Sequence, residues 1–203
     1  MGNRFIIGVD IGGTTFSSTI FDFNLNIIKT SKKELISKFK NKDDLLNGLC
    51  AQIEEFSAKI NIIGIGFACP GPLNSKIGVI LETPNLNILK NCNIIKEMTE
   101  RLSVPCFLEN DANLFALGEY QYFSDLKEVF IGVTLGTGLG FGIIINDKLF
   151  LGSHGMSAEY GISPFEFGSW ESKISIKGIE LLSKKYFNDL VDPVNISKFA
   201  ENG

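Results

Sequence analysis

Two short stretches hold the residues best suited to chemistry. "VDIGGTT" contains Asp10, Gly12, Gly13 and Thr14; "TLGTGLG" contains Gly136, Thr137 and Gly138. Glycine turns let backbone N–H groups approach a ligand closely, and such concavities bind phosphate oxygens. Neither stretch is a Walker loop, since no Gly-Lys-Ser/Thr follows, and Phe141 stands where the dinucleotide fingerprint needs its last glycine. Only the first turn carries a carboxylate. A hard cation on a phosphate chain is typically held by one or two carboxylates plus phosphates and waters, so Asp10 is read as the residue facing Mg2+. The second turn supplies N–H and hydroxyl groups only, with Thr14 and Thr137 as hydroxyl donors. Together they make a two-sided phosphate clamp, which suits phosphoryl transfer because that reaction needs positioning and charge neutralisation.

A third stretch, "FLENDAN", places Asn110 and Asp111 where a strand gives way to a helix. Two readings stand side by side. Asp and Asn are preferred helix caps, which by itself accounts for them. Alternatively Asp111 is a general base aimed at an acceptor hydroxyl, with Asn110 orienting that acceptor. A helix N-terminus would keep Asp111 ionised and weakly basic, which suffices when the transition state is loose.

The surrounding elements would position these groups. Residues 4–9 form an apolar strand ending in the first glycine turn, and "FSSTIFDFNLNIIKTSKKEL" reads as a hairpin around Asn-Leu-Asn. Leu45, Leu46, Leu49, Ile53, Phe56 and Ile60 recur at helical spacing behind an aspartate cap. "INIIGIGFACPGP" is a second buried strand. A helix over 94–102, the strand "VPCFLE" and the helix "DANLFALGEYQYF" follow. From Val129 the opening pattern restarts: the shift that carries Ile7 to Ile131 also carries Gly8, Val9 and Gly12 to Gly132, Val133 and Gly136. Either these matches are chance, or the chain has two related α/β halves, 1–121 and 122–203, whose cleft would turn both glycine loops towards one ligand.

Composition limits the classes. The 203 residues are 44% hydrophobic and 21% charged, with 19 basic against 23 acidic residues and a formal net charge of −4. No basic block is present, so nucleic acid is a poor partner. Cys50, Cys69, Cys92 and Cys106 show no C-x-x-C pairing, and one histidine leaves no obvious zinc set. Scattered thiols suit a cytosolic, cytoplasmic protein. No signal peptide, myristoylation signal or membrane-spanning run is read from the chain.

Taken in order, "VDIGGTT", "CPGPLNSKIGVILETPNL", "LENDAN" and "TLGTGLGFGIIINDKLFLGSHGMSAEYG" resemble the successive signatures of the ROK family of sugar kinases and sugar-responsive repressors. The resemblance implies a two-domain actin-like ATPase fold, ribonuclease H-like, which agrees with the duplicated strand-turn-strand halves. It implies ATP with Mg2+ and a hexose phosphorylated on its 6-hydroxyl, glucose or an N-acyl hexosamine such as N-acetylmannosamine. It places Asp10, Gly12, Gly13 and Thr14 in a first phosphate loop and Gly136, Thr137 and Gly138 in a second. Asp111 falls on the catalytic base, and Asn110 on a sugar ligand. Glu159 in "SAEYG" and Glu171 in "SWES" fall on sugar-binding glutamates; as isolated residues they would be solvated surface charge. Gly71 and Asn85 border the sugar pocket, where Pro and Asn equally form turns.

Two departures from the resemblance matter. Ile162 takes the position of a histidine that touches sugar and binds zinc, and Ser169 that of a cysteine, so no zinc site is expected. His154, without cysteine neighbours, is read as structural or solvent-facing. Family chains also run further, so the second domain, including the purine pocket, is expected to be incomplete here. A sugar-binding sensor or regulator without catalysis is the alternative reading, and an actin-like ATPase with a protein client a third. Direct DNA binding is not expected, because the first phosphate loop begins by residue ten. Homodimerisation is left open.

Overall fold

The computed structural model describes residues 4–123, 128–153, 155 and 157–201. They fall into two units, Met1–Leu114 and Phe115–Gly203.

The first unit opens with β1 (Phe5–Ile11), β2 (Thr15–Phe21), β3 (Ile27–Thr30) and β4 (Glu34–Leu35). Then come α1 (Lys42–Phe56), β5 (Ile62–Cys69), β6 (Leu73–Asn74), β7 (Val79–Ile80), β8 (Cys92–Asn93), α2 (Ile94–Leu102) and β9 (Cys106–Asn110). The main sheet has the order β3-β2-β1-β5-β9, with β4 pairing β2. The β1–β2 pair is antiparallel, while β1–β5 and β5–β9 are parallel. Strand alternation sets which side chains enter the core: β1 buries Ile7, Val9 and Ile11, and β2 buries Phe16 and Ile20. Leu45, Leu46, Leu49, Ile53 and Phe56 form the buried stripe of α1 and join one hydrophobic cluster with the β5 residues Ile65 and Phe67.

Helix α2 occupies the residues expected for it. Helix α1 differs in detail. Its N-cap is Asn41, not an aspartate: the Asn41 side chain accepts the Asp44 N–H at 2.9 Å. Asp44 in turn accepts the Lys40 N–H at 2.9 Å, so one orphan donor of the helix is satisfied, the preceding residue is tied back, and Asp43 and Asp44 stand in the first turn, where the helix dipole favours them. Ile60 lies beyond the helix end and packs on the core from a turn.

Helix α3 (Asp111–Tyr120) straddles the division between the units, whereas the boundary read from sequence, 121/122, lies just past its C-terminus. The second unit continues with β10 (Val129–Leu135), β11 (Leu139–Ile145), β12 (Lys148–Leu149), β13 (Pro164–Phe165) and β14 (Gly168–Ser169). Helices α4 (Trp170–Ile174), α5 (Ile176–Phe187) and α6 (Pro193–Glu201) follow. β10, β11 and β12 form a three-stranded antiparallel sheet with β10 at its edge. α3 lies close on β10: a Cβ on Gly132 would come within 2.5 Å of the Ala116 Cβ. Among the described residues no helix is long and apolar enough to cross a membrane.

The repeated motif forms a repeated hairpin. β1 and β2 pair antiparallel around Gly12–Thr14, and β10 and β11 pair antiparallel around Gly136–Gly138. The environments differ. Ile7 and Val9 are 2% and 1% exposed, but Ile131 and Val133 are 53% and 43% exposed. The first hairpin is continued by β5 and covered by the core cluster, while β10 has no strand on its other side among the described residues.

Candidate active site

The two glycine turns use their amides in the same way. In the first, the Gly12 N–H closes the turn on the Thr15 carbonyl at 2.9 Å. In the second, the Gly136 N–H closes on the Gly138 carbonyl at 3.0 Å. The next two amides in each turn, those of Gly13 and Thr14 and those of Thr137 and Gly138, have no hydrogen-bond acceptor among the described residues. Paired amides without a protein acceptor suit an anion. The first turn is anchored by the Thr14 carbonyl, which accepts the Ile36 N–H at 2.8 Å.

In the first unit, the parallel register of β1, β5 and β9 aligns Asp10 with Ala68, Ala68 with Glu109, and Cys69 with Asn110. The C-terminal ends of three adjacent parallel strands therefore bring Asp10, Asn110 and Asp111 to one sheet edge, the place where open α/β sheets bind ligands. Asn85 belongs to the same neighbourhood, because a Cβ on Gly13 would stand 2.8 Å from the Asn85 carbonyl oxygen and 2.9 Å from its Cβ. Gly71 lies two residues past the end of β5 and begins the cis Gly71–Pro72 peptide. The buried Thr83 hydroxyl donates to the Pro72 carbonyl at 3.3 Å, tying the strand leaving Gly71 to the segment that carries Asn85.

Asn110 is the cap of α3. Its side-chain oxygen accepts the Ala112 N–H at 2.9 Å and the Asn113 N–H at 3.1 Å. That fixes the side chain and leaves its amide NH2 without an acceptor among the described residues. Sequence reading missed what stands behind it: Glu109 accepts both the Asn110 N–H at 2.9 Å and the Asn113 side-chain amide at 3.0 Å. The four-residue interval between Glu109 and Asn113 was the available signal.

Asp111 keeps contact with solvent, yet enough protein surrounds its carboxylate to change its acidity. Desolvation raises its pKa above 3.8, the Ala112 backbone hydrogen bond opposes this, and the nearby negative charge of Asp10 adds to the rise. The expectation that the helix N-terminus alone would keep Asp111 weakly basic is thus corrected, because burial outweighs the helix amides. Cys69, fully buried at the end of β5, feels both carboxylates, and desolvation together with Asp111 and Asp10 pushes its thiol well up. Asp10 is exposed, and no cation is paired with it or with Asp111 among the described residues. An exposed carboxylate without a cationic partner among the described residues, beside a glycine turn, fits a hard cation whose remaining ligands are phosphates and water.

In the second unit, Glu159 precedes a 3-10 turn over Tyr160–Ile162 and is exposed. Glu171 is not a solvated surface charge. Its Oε2 accepts the Leu139 N–H at 2.9 Å, beside the second glycine turn. Ser169, where the resemblance expects a cysteine, caps α4 through a capping box with Ser172, and Phe165 stacks on Trp170 with centroids 3.9 Å apart. Those contacts hold the segment carrying Glu171. No group of three or more His, Cys, Asp or Glu side chains is placed to hold a metal among the described residues. His154 lies outside the described residues.

A family profile matches residues 6–196, and the chain belongs to the ROK family. It is 32% identical over 157 residues to the glucokinase of Thermotoga maritima, covering 77% of this chain and 49% of that protein. It is 33% identical over 156 residues to the N-acetyl-D-glucosamine kinase of Histophilus somni, covering 76% of this chain and 50% of that protein. Among solved structures, a ROK family glucokinase from Streptomyces griseus in complex with glucose and AMPPNP superimposes with a TM-score of 0.77 at 29% identity. That match covers 91% of this chain and 61% of that one. The chain spans about half the length of the curated relatives it matches. The α/β architecture is that of these ROK sugar kinases, the actin-like ATPase class.

Proposed function

We propose that this chain carries the phosphate-binding and acceptor-activating parts of an ATP-dependent kinase acting on the 6-hydroxyl of a hexose, glucose or an N-acyl hexosamine such as N-acetylmannosamine. The observation that carries this reading is the sheet edge of the first unit. There a capped Asn110 and an Asp111 of raised pKa stand beside Asp10 and a glycine turn with two open amides.

In this reading Asp111 accepts the proton of the attacking hydroxyl as the phosphoryl group moves to that oxygen and ADP departs. A pKa lifted towards the working pH makes Asp111 a better base than an ordinary aspartate. Asn110, its carbonyl oxygen committed to the helix, presents its NH2 to a sugar hydroxyl. Gly13, Thr14, Thr137 and Gly138 offer amides to phosphate oxygens, and Asp10 would hold Mg2+ together with those phosphates. The ion supplies charge neutralisation on the phosphate chain. Glu159 is read as a ligand of the sugar hydroxyls, with Gly71 and Asn85 shaping the acceptor side. The relatives named glucokinase and N-acetyl-D-glucosamine kinase support the substrate class.

The test is a coupled ADP-release assay against glucose, N-acetylmannosamine, N-acetylglucosamine, fructose and allose. Asp111→Ala is expected to lower turnover roughly 10²–10⁴-fold. Near-wild-type turnover in that variant defeats the proposal. Hexose binding by calorimetry without ATP turnover favours the sensor reading instead.

A further inference from the structure

We propose that Glu171 is the latch of the second glycine turn, a positioning residue that sets nucleotide affinity through Leu139. The inference rests on the kinase reading above and adds a role for the residue beyond sugar contact.

Leu139 is the first residue after the turn. Its N–H is held by Glu171 Oε2 at 2.9 Å. On its other side Gly161 packs so closely that a Cβ there would stand 2.1 Å from the Leu139 carbonyl oxygen. The approach of the carboxylate requires a residue without a side chain at 138, since a Cβ on Gly138 would lie 2.7 Å from the same Oε2. A second tie runs from the same corner: the Ile176 N–H donates to the Gly136 carbonyl at 2.9 Å.

The corner itself is stiff. Ser169 and Ser172 box the start of α4, and the Ser175 N–H donates to the Glu171 carbonyl at 3.1 Å. Ser175 then caps α5 by accepting the Gly178 N–H at 3.2 Å. The turn is thus strapped at both ends, at Gly136 and at Leu139, to a corner made by α4 and α5. With Gly136 closing on Gly138 and Leu139 taken by Glu171, the Thr137 and Gly138 amides are the ones left open. A charge-assisted bond to one backbone N–H in a half-buried position is strong enough to choose between turn conformations. Sequence gave no hint of it, because residues 139 and 171 are far apart along the chain.

Three variants of the full chain test this: Glu171→Ala, Glu171→Gln and Gly138→Ala. Two measurements are made on each, amide hydrogen exchange at residues 136–139 and calorimetric affinity for Mg·ADP without sugar. Glu171→Ala is expected to speed exchange of the Leu139 amide and weaken Mg·ADP binding by about tenfold each, the loss of one hydrogen bond involving a charged group. Glu171→Gln keeps an oxygen that can accept from Leu139 and restores both readouts to near wild type. Gly138→Ala, which pushes the carboxylate away, reproduces the alanine effect and adds little to it in the double variant. A Glu171→Ala protein that exchanges and binds Mg·ADP as the wild type does, but has a raised hexose KM, overturns the latch and leaves a sugar ligand only. A wild type that binds Mg·ADP but transfers phosphate to no hexose overturns the kinase reading alone.

Discussion

Asp10 and Asp111 stand at the C-terminal ends of β1 and β9, the two strands flanking β5, where desolvation first and the charge of Asp10 second lift the Asp111 pKa above its ordinary value. Two carboxylates from opposite ends of the first unit's sequence, one at a strand end and one opening a helix, are made neighbours by the β1–β5–β9 register. In the proposed kinase, a cation held at Asp10 would relieve that repulsion.

The acid limb of kcat/KM is therefore expected above the ordinary carboxylate value of 3.8, because the base acts only when ionised and both desolvation and Asp10 favour its neutral form. Asp10→Asn removes one of those causes and should lower the Asp111 pKa. A side-chain carboxyl NMR titration of the two proteins checks the direction; an unchanged or higher value in the variant contradicts it.

Stability follows the same sign. A raised folded-state pKa means that the contribution of Asp111 is fully present below about 3.8 and is lost as pH rises through the folded value. Asp111→Asn should leave the protein at least as stable as wild type at neutral pH while turnover collapses. Thermal melts at pH 4 and pH 7 read this; a variant less stable at pH 7 would show that the carboxylate supports the fold.

Gly13→Ala forces a methyl to within 2.8 Å of the Asn85 backbone, with no flexible side-chain end to yield. The expected cost is about 1–3 kcal/mol in urea unfolding, together with a raised KM for ATP as the first turn shifts. Serine at the same position should behave no better.

Asn110→Ala removes the cap of α3 and the NH2 proposed to meet the acceptor. Loss of the cap is expected to lower stability by about 0.5–2 kcal/mol, and hexose KM should rise. Asn110→Asp restores the cap but not the donor, so stability should recover while hexose KM stays high. Recovery of both would mean that Asn110 serves the helix only.

Much of this architecture could be read from residue pattern, because the pattern is local. The periodic stripe of α1, the bounds of α2 and both glycine hairpins follow from spacing over a few residues. What escaped has other causes. The two-residue strands β6, β7, β8, β13 and β14 are too short to leave a period. The choice of Asn41 over Asp43 or Asp44 as cap turns on two or three residues of register. The raised pKa of Asp111 depends on protein mass around it, which the helix amides do not reveal. The contact of Glu171 with Leu139 depends on how the chain returns after β14. The clasp of Glu109 on Asn110 and Asn113 forms only once the first turn of α3 brings residue 113 back to it.

Strand β10 has one more consequence. Val129, Ile131, Val133 and Leu135 are all exposed on alternate positions of an edge strand, so a row of greasy side chains runs beside backbone groups that no strand pairs among the described residues. Such a strand is adhesive in water. In concentrated solution its colloidal behaviour will be governed there, and a lysine in place of Ile131 is the simplest way to keep the purified polypeptide dispersed.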